Sequence, residues 1–374
     1  MSDFVFEERD YQKEAVSSVL AYFDKGRESV LLESPVGSGK MVMGLMAVAA
    51  LQKKKPDLRV NWVACRRHIL DQVNRMNDSH FHCHLNTVSV FASSFPPADL
   101  VVLDEAHHEA TRSCLAMYEQ TGNSLTLGLS ATPLRTDRLK LAFQHTVKCK
   151  SVPYFIRAGV LSPYHSYKLP LYSPDTVASV FCERPEHWGK TLAFFRTVKE
   201  CSFFKNRLLQ AGISCEVISA QSDKDALLDA FIFGGIQVLA NVAVLSEGFD
   251  LPELKTVLVR DASRLPTIQM AGRGLRKAVG KSHCNIIQSE EAAFQIEKLA
   301  LPARSFRYMN GQWLSCTDDT QIIMETMENS LHLLEQRRVR LPYCISDPQR
   351  RKIEVTLRSR RMLWSMGKTD EQVD

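Results

Sequence analysis

The chain has 374 residues, a formal net charge of +5, and a composition that is 45% hydrophobic and 24% charged. This length accommodates two globular domains of ordinary size, but the net charge is too small to indicate a partner by itself. No apolar run approaches the roughly 18–20 residues of a membrane span, and the amino terminus lacks a signal-peptide pattern. The ten cysteines form no Cys-x-x-Cys pair, which favours a reducing, cytoplasmic location over a disulfide framework.

Strands and helices are predicted to alternate over residues 1–150, the first predicted domain. The predicted strands are residues 30–32, 59–64, 88–91, 100–103 and 125–129. Short runs rich in Val and Leu, separated by helical stretches, are typical of a parallel sheet covered by helices on both faces. This half of the chain is therefore predicted to be an α/β domain.

A proline-punctuated stretch over residues 151–185 is predicted to connect this domain to a second one over residues 186–300. The second α/β block is predicted to contain strands at residues 191–195, 215–219, 237–240, 256–260 and 284–288, with helices at 198–210 and 225–233.

A short, mainly helical, basic extension is predicted over residues 301–374. Residues 331–368 contain ten Lys or Arg and three Asp or Glu, a local balance of +7. This pattern is compatible with a solvated helix face or with a surface that contacts phosphates.

Residues 31–41 have the pattern of a phosphate-binding loop between a strand and an apolar helix. Gly37 and Gly39 allow backbone N–H groups to point at phosphate oxygens, and Lys40 can reach the β and γ oxygens. Met41 stands where a Ser or Thr hydroxyl usually binds Mg²⁺, and a thioether has no affinity for a hard cation. The residues expected to bind the nucleotide are Pro35, Val36, Gly37, Ser38, Gly39, Lys40 and Met41.

Two acids, Asp104 and Glu105, follow directly after the apolar strand at residues 100–103. The carboxyl edge of a parallel sheet is where α/β proteins present carboxylates to a ligand. Asp104 is expected to hold Mg²⁺ and Glu105 to orient and polarise the attacking water. Considered alone, the pair is also compatible with a strand end that carries two solvated acids.

Four motifs occur in a fixed order: the phosphate loop (residues 34–40), the acid segment (residues 104–107, Asp-Glu-Ala-His), residues 130–133 and residues 269–276. In this combination the chain resembles superfamily 2 helicases or translocases of the DEAH-bearing kind, most closely the compact DNA-repair and restriction-type motors. The resemblance implies an α/β fold with two tandem RecA-like parallel-sheet domains. It also implies ATP and Mg²⁺ as cofactors, and nucleic acid as a partner, with DNA favoured and RNA the alternative. Protein partners are a separate expectation.

The same resemblance assigns roles in the first domain. Gln12 corresponds to the residue that contacts adenine through its side-chain amide. Arg66 and Arg67, at a predicted strand-to-helix turn, and Ser93 correspond to positions that contact a nucleic-acid backbone. The residues implied to couple the nucleotide and nucleic-acid sites are Ser130, Ala131 and Thr132.

In the second domain the resemblance implies nucleic-acid contacts by Arg196, Thr197 and Asn241. Gly248 would allow close approach to the nucleotide, and Asp250 would lie near the ribose. Both belong to a motif that is expected to contact nucleic acid and nucleotide together.

Arg273 and Arg276 are three residues apart, a spacing that places them on one face of a helix. They resemble arginines that reach the γ-phosphate when the domains close, which in comparable enzymes contributes roughly 10³–10⁵ in rate. The implied metal ligands are Asp104 and Glu105. The implied catalytic residues are Lys40, Asp104, Glu105, His107, Gln269, Arg273 and Arg276.

Met41 leaves two hypotheses open. The chain is expected to be a nucleic-acid-stimulated ATPase that translocates along nucleic acid or unwinds it, because all the implied catalytic residues are present. Alternatively, it is an ATP-responsive clamp on nucleic acid, or a regulatory subunit, that hydrolyses little because the Mg²⁺-binding hydroxyl is missing.

Overall fold

The computed structural model describes residues 8–108, 112–122, 124–134, 139–219, 221–242, 251 and 253–316. These residues form two α/β lobes, here called the N-terminal lobe (residues 8–150) and the C-terminal lobe (residues 151–316). Each lobe is built on its own sheet, so the predicted class of two tandem parallel-sheet domains is confirmed. None of the helices in the described part of the chain has the length and apolar character needed to cross a membrane.

The sheet of the N-terminal lobe has six strands in the order β3-β2-β4-β5-β1-β6, and every pairing is parallel. Its strands are β1 Ser29–Glu33, β2 Val60–Ala64, β3 Asn86–Ser89, β4 Leu100–Asp104, β5 Leu125–Ser130 and β6 His145–Lys148. The five predicted strands are present, and β6 at the edge was not predicted.

Helices cover both faces of this sheet. They are α1 Asp10–Asp24, α2 Lys40–Lys54, α3 Arg67–Met76 and α4 Arg112–Thr121, with a π turn at Asn77–Phe81 and a 3-10 turn at Ala106–His108. Successive side chains of a strand point to opposite faces, so Val30 and Leu32 join one apolar cluster while Leu31 joins the other. This is the two-sided burial expected of a parallel sheet.

The C-terminal lobe has an eight-stranded sheet in the order β14-β13-β7-β12-β11-β8-β10-β9, in which only the β13–β14 pair is antiparallel. Its strands are β7 Tyr164–Leu169, β8 Thr191–Phe194, β9 Cys215–Ile218, β10 Val238–Asn241, β11 Thr256–Leu258, β12 Cys284–Ser289, β13 Arg304–Met309 and β14 Gln312–Cys316. Its helices are α5 Val152–Arg157, α6 Pro174–Glu183, α7 Pro185–Trp188, α8 Val198–Gln210, α9 Lys224–Ile232 and α10 Arg264–Gly274, with a 3-10 turn at Ile296–Lys298.

The segment predicted to connect the domains, residues 151–185, instead belongs to the C-terminal lobe. It contains α5, α6 and strand β7, which pairs with both β12 and β13. Residues 164–169 read Tyr-His-Ser-Tyr-Lys-Leu, and this polar content concealed a buried strand. The predicted helical extension likewise begins with the β13–β14 hairpin, and its residues 317–374 lie outside the described part of the chain.

Three neighbouring strands bring the motifs of the N-terminal lobe together. Strands β4, β5 and β1 are adjacent and parallel, so their carboxyl ends share one edge of the sheet. The acid segment, Ser130 and the phosphate loop follow these strands in that order. The topology therefore places three sequence-distant motifs at one edge of the sheet.

Candidate nucleotide site between the two lobes

The phosphate loop joins β1 to the amino terminus of α2. Gly37 and Gly39 have φ values of +81° and +83°, a left-handed conformation that favours glycine. A Cβ on Gly39 would lie 2.7 Å from Nε2 of Gln12, so this side chain lies directly against the loop. Gln12 is buried, and its Oε1 accepts a hydrogen bond of 3.0 Å from the Arg9 backbone N–H. Its contact with adenine stays a prediction.

Hydrogen bonds hold the loop in this shape. The Ser38 hydroxyl donates to the Pro35 carbonyl at 2.7 Å, and the Ser34 hydroxyl donates to Ser38 Oγ at 2.6 Å. From helix α1, the Tyr11 hydroxyl donates to the Ser38 carbonyl at 2.9 Å. Burial raises the pKa of Tyr11, although the hydrogen bond from Arg9 opposes this shift. The Tyr11 hydroxyl is therefore neutral and supports the loop from the side of α1.

Met41 lies in the first turn of α2 and is partly buried against the apolar cluster of the N-terminal lobe. Its thioether therefore contributes to packing at the position where a hydroxyl would bind Mg²⁺. Asp104, at the end of β4, is buried and supplies a carboxylate, the kind of ligand that Mg²⁺ accepts alongside phosphates and water. The residues present fit a magnesium ion with one protein ligand fewer than usual.

Glu105 has φ of +51°, which is uncommon for a residue with a side chain. Its backbone N–H donates to Asp104 Oδ1 at 2.9 Å, which stabilises the sharp turn at the end of β4. Its Oε2 lies 3.4 Å from Nδ1 of His107. The turn thus directs the second carboxylate to the imidazole rather than along the strand.

His107 connects the two lobes. It is 3% exposed, and Nε2 of Gln269 in helix α10 lies 3.3 Å from its Nε2. If the amide donates here, the imidazole proton resides on Nδ1, which faces Glu105 and lies 3.5 Å from the Ser130 hydroxyl. An acid of the N-terminal lobe is therefore linked through one imidazole to a helix of the C-terminal lobe.

Ser130 ties three motifs of the N-terminal lobe together. Its carbonyl accepts a hydrogen bond of 2.9 Å from the Ser34 backbone N–H at the start of the phosphate loop. Its hydroxyl accepts one of 3.2 Å from the backbone N–H of Thr132, while Ala131 lies between them. A shift at the phosphate loop would therefore reach residues 130–132 directly.

Helix α10 packs on the phosphate loop through glycine. A Cβ on Gly272 would lie 2.9 Å from Cβ of Val36, so a larger residue would separate the two lobes here. Arg273, the next residue, is 4% exposed. The close approach brings the arginine segment (residues 273–276) to the loop.

Arg276 does not lie on the same helix as Arg273, contrary to prediction. Helix α10 ends at Gly274, and Arg276 forms an isolated antiparallel bridge with Leu161. Arg276 nevertheless reaches the phosphate loop, because a Cβ on Gly37 would lie 3.5 Å from its Cγ and 2.9 Å from Cδ2 of Leu161. Both arginines thus belong to the cleft, but they are supported by different backbone structures.

Other groups bind the carbonyls at the end of this helix and just beyond it. Nζ of Lys281 donates to the carbonyls of Gly274 at 2.6 Å and Arg276 at 2.8 Å. The backbone N–H of Ser162 donates to the Leu275 carbonyl at 2.7 Å, and its hydroxyl donates to that of Arg276 at 3.2 Å. These residues carry no motif of their own, so only the fold reveals their role.

The predicted nucleic-acid contacts of the N-terminal lobe lie near the ends of β2 and β3. Arg66 and Arg67 form the turn into α3, where Arg67 is exposed, and Ser93 is also exposed. Phe91, which the sequence did not single out, is 70% exposed just after β3. The Val90 N–H still donates to the Ala64 carbonyl at 3.0 Å, so the pairing of β2 with β3 extends almost to Phe91.

The residues predicted to contact nucleic acid in the C-terminal lobe differ in exposure and in hydrogen bonding. Arg196 is 62% exposed and pairs with Asp261 at 3.1 Å. The Thr197 hydroxyl accepts a hydrogen bond of 3.2 Å from the Glu200 N–H and caps helix α8. Asn241 is fully buried and donates to the Ala193 carbonyl at 3.0 Å, and its contact with nucleic acid stays a prediction. Gly248 and Asp250 lie outside the described residues.

One further carboxylate lies beside the cleft. Burial raises the pKa of Glu33 at the end of β1, and the nearby charges of Lys148 and Arg264 oppose this shift. Among the described residues, its Oε2 is buried without a hydrogen-bond partner. In the same part of the chain, no group of three or more His, Cys, Asp or Glu side chains could hold a metal ion by itself.

Together, the fold and the site define a two-lobed α/β protein with a candidate nucleotide site where the lobes meet. Residues 5–95 match the family described as the res subunit of type III restriction enzymes, and residues 174–278 match the helicase conserved C-terminal domain. The chain therefore has the core of a superfamily 2 helicase, as its motifs predicted.

Two curated relatives extend this similarity. A 51.5 kDa protein of a Lactococcus phage (isolate 7-9) is 28% identical over 284 residues, which cover 66% of this chain and 62% of that protein. A Schizosaccharomyces pombe protein that carries the name of a mitochondrial ATP-dependent helicase, irc3, is 24% identical over 351 residues, covering 76% of this chain and 57% of that protein. The chain thus spans about three fifths of the length of these relatives.

Solved structures share the fold. The ATP-dependent Type ISP restriction-modification enzyme LlaBIII bound to DNA has a TM-score of 0.58 at 17% identity, covering 79% of this chain and 28% of that one. Saccharomyces cerevisiae Dbp5 bound to RNA and ADP BeF3 has a TM-score of 0.56 at 13% identity, covering 86% and 97%. At these identities the similarity establishes the two-lobed architecture alone.

Proposed function

We propose that this chain is a nucleic-acid-stimulated ATPase that translocates along or unwinds nucleic acid, with DNA as the favoured substrate. The observation that supports this most strongly is the contact across the cleft. Gln269 of the C-terminal lobe lies 3.3 Å from His107 in the acid segment of the N-terminal lobe. Because each lobe supplies part of one site, binding and hydrolysis of ATP can change how the lobes associate.

ATP occupies the phosphate loop in this proposal. Backbone N–H groups of the phosphate loop and the amino terminus of α2 bind the phosphates, and Lys40 contacts the β and γ oxygens. Gln12 contacts the adenine edge from its position against Gly39. The predicted contacts of Gly248 and Asp250 with the nucleotide remain part of the proposal.

Asp104 holds Mg²⁺, which when bound neutralises charge on the β and γ phosphates. Glu105 orients and polarises the attacking water and accepts its proton. His107, with its Nδ1 toward Glu105, holds this carboxylate in position and couples it to Gln269. Glu105 is thus a base for the reaction rather than a direct metal ligand, a refinement of the role implied by the family.

Arg273 and Arg276 neutralise the charge that develops on the transferred phosphoryl group. The contact of Gly272 with Val36 supports this role, because it brings the arginine segment to the phosphate loop. Closure of the lobes then completes the site, and phosphate release allows them to separate.

Nucleic acid lies across the carboxyl edges of the sheets. Arg66, Arg67 and Ser93 contact its backbone on the N-terminal lobe, and Arg196 does so on the C-terminal lobe. Contacts of this kind position a strand without reading its sequence, and they weaken as salt rises. Phe91 supplies a stacking surface for a base, which an exposed aromatic beside arginines can provide.

The second candidate is an ATP-responsive clamp on nucleic acid with little hydrolysis. It rests on Met41, which contributes to the apolar cluster and provides no oxygen for Mg²⁺. Losing even a partner that supports a metal ligand commonly costs about 10- to 100-fold in affinity or activity.

Mg²⁺-dependent phosphate release, measured without nucleic acid and with single-stranded DNA, duplex DNA or RNA, tests the proposal. We expect stimulation by at least one of them, and a rate about 10- to 100-fold higher for Met41→Thr. Val42→Thr, which adds a hydroxyl one residue further along α2, is the matched control and should have no such effect.

Two results would count against these assignments. The first is that the wild-type chain binds nucleic acid more tightly when an ATP analogue is present, but only the Met41→Thr variant hydrolyses ATP. This result would identify the wild-type chain as the clamp. A chain in which neither form responds to any nucleic acid is not a motor.

A further inference from the structure

Lys281 is a charged residue that the proposed mechanism does not use. It is the last residue of a turn at residues 278–281, in which its backbone N–H donates to the Ala278 carbonyl at 3.2 Å and Gly280 has φ of +76°. Burial lowers the pKa of its ammonium, and the nearby charge of Arg276 lowers it further. A half-buried lysine beside an arginine is electrostatically unfavourable, so the contacts that offset this cost indicate what the residue does.

The contacts of Lys281 are with the backbone of the arginine segment. Its Nζ donates to the carbonyls of Gly274 and Arg276 at 2.6 and 2.8 Å. Gly274 is the last residue of α10, where carbonyls lack partners within the helix and a positive charge is favourable. One ammonium group thus joins the end of the helix to the residue two positions beyond it.

The backbone of Arg276 is held from its other side by residues 161–162. Leu161 bridges Arg276, and Ser162 binds the carbonyls of Leu275 and Arg276. Two chain segments, one before β7 and one before β12, therefore hold residues 274–276 between them. The Arg276 side chain leaves this segment toward Gly37 of the phosphate loop.

We propose that Lys281 is a positioning residue for Arg276. Its ammonium fixes the backbone at residues 274–276, so that the Arg276 guanidinium reaches the transferring phosphate when the lobes close. This inference rests on the proposed ATPase function. An error of about 1 Å in the position of a catalytic group can cost about 100-fold in rate.

The test is a double-mutant cycle with Lys281→Met, which keeps the length of the side chain and removes its charge and donors. We expect Lys281→Met to lower kcat about 10- to 100-fold while the KM for ATP changes by less than about 3-fold. In an Arg276→Ala background the same change should have almost no further effect, because the residue that Lys281 positions is gone. Lys281→Arg should recover part of kcat, since guanidinium can also donate to both carbonyls.

Lys277→Met is the matched control, because Lys277 is exposed and lies one residue after Arg276. It should leave kcat unchanged. A normal kcat for Lys281→Met would overturn the proposal. So would a double variant in which the separate effects of Lys281→Met and Arg276→Ala on kcat simply multiply.

A readout that needs no activity separates this inference from the proposed function. The Ser162 amide donates to the Leu275 carbonyl, so its hydrogen exchange reports the order of the arginine segment. Lys281→Met should speed this exchange by at least about 10-fold, without the same change at amides of β1. If no nucleic acid stimulates ATP hydrolysis by the wild-type chain, the proposed ATPase function is refuted. If Lys281→Met leaves hydrogen exchange at the Ser162 amide unchanged, the role of Lys281 is refuted.

Discussion

In the N-terminal lobe, the strand that precedes each residue positions it: Asp104 ends β4, and Lys40 follows β1 after a short loop. In the C-terminal lobe, Arg276 depends instead on contacts with residues that are distant in sequence. Ser38 binds Pro35 within the phosphate loop itself. The Arg276 carbonyl instead accepts a hydrogen bond from Ser162, 114 residues earlier in the chain. The first half of the site is built locally, and the second half is built by the fold of its lobe.

This difference suggests a division of labour. Residues on one rigid sheet edge can bind the nucleotide before the lobes meet, so their loss should weaken binding. Residues delivered from the other lobe act when the cleft closes, so their loss should slow the reaction. The following experiments test whether the two lobes divide binding and rate in this way.

The largest effect is expected for Arg276→Ala. Removing an arginine that neutralises transition-state charge should lower kcat by about 10³-fold or more, with little change in the KM for ATP. Lys40→Ala, in contrast, should weaken binding of a fluorescent ATP analogue. Arg207→Ala is the control, because Arg207 lies on the surface of α8 and pairs with Asp175. A rise in KM without a fall in kcat for Arg276→Ala would contradict the division between the lobes.

A somewhat smaller effect is expected for Glu105→Gln. The amide keeps the shape of the side chain but cannot accept a proton from water, so single-turnover hydrolysis should slow by about 100-fold or more. Binding of the ATP analogue should persist, because the phosphate loop is intact. Glu119→Gln, an exposed acid of α4, is the control. Loss of binding together with hydrolysis would indicate that Glu105 holds the metal after all.

The same contrast explains how much the sequence could predict. The phosphate loop, the acid segment and residues 130–132 were recognisable because each is a short motif after an apolar strand. Parallel pairing of β4, β5 and β1 then brings them together without further information. Five of the six strands of this lobe are predicted to within a few residues for the same reason, and only the edge strand β6 is not.

Features that depend on distant contacts could not be predicted. The spacing of Arg273 and Arg276 indicates a common helix face, but Lys281 and Ser162 bind the carbonyls that would continue the helix. Strand β7 is buried by its neighbours β12 and β13 despite its polar residues. Asn241 occupies a motif position, yet its strand β10 pairs with β8 and β9 and its amide is buried.

Nucleic-acid binding should also differ between the lobes. Arg67→Ala should lower affinity for single-stranded DNA and reduce the slope of log affinity against log salt by about 0.7–1. Arg196→Ala should have a smaller effect, because Asp261 already offsets its charge at 3.1 Å. Arg75→Ala, exposed near the far end of α3, is the control. Fluorescence anisotropy over a range of salt measures these effects, and equal slopes for Arg67→Ala and wild type would remove Arg67 from the interface.

Removal of Asp261 sharpens this prediction. Asp261→Asn should free the charge of Arg196 and increase affinity for nucleic acid, most clearly at low salt. No change would mean that Arg196 lies away from the path of the strand, and that the N-terminal lobe alone provides the arginine contacts.

The smallest effect concerns Glu33, a carboxylate of the N-terminal lobe. It lies near the charge of Arg264, which belongs to the C-terminal lobe. Because burial raises its pKa, the folded protein binds a proton here more tightly than the unfolded chain does. The cost of ionising it is therefore absent below the ordinary carboxyl pKa and grows as pH rises through the folded value. Glu33→Gln should raise the free energy of unfolding at neutral pH, and this gain should shrink toward pH values of about 4.

Urea unfolding of Glu33→Gln and wild type across this pH range measures the difference, with Glu28→Gln, an exposed acid just before β1, as the control. Arg264→Ala should enlarge the gain from Glu33→Gln, because it removes one of the charges that stabilise the carboxylate. A gain that is independent of pH would assign the effect to packing. A gain that Arg264→Ala leaves unchanged would mean that the C-terminal lobe contributes nothing to this side of the cleft, and that the lobes communicate through His107 and the arginine segment instead.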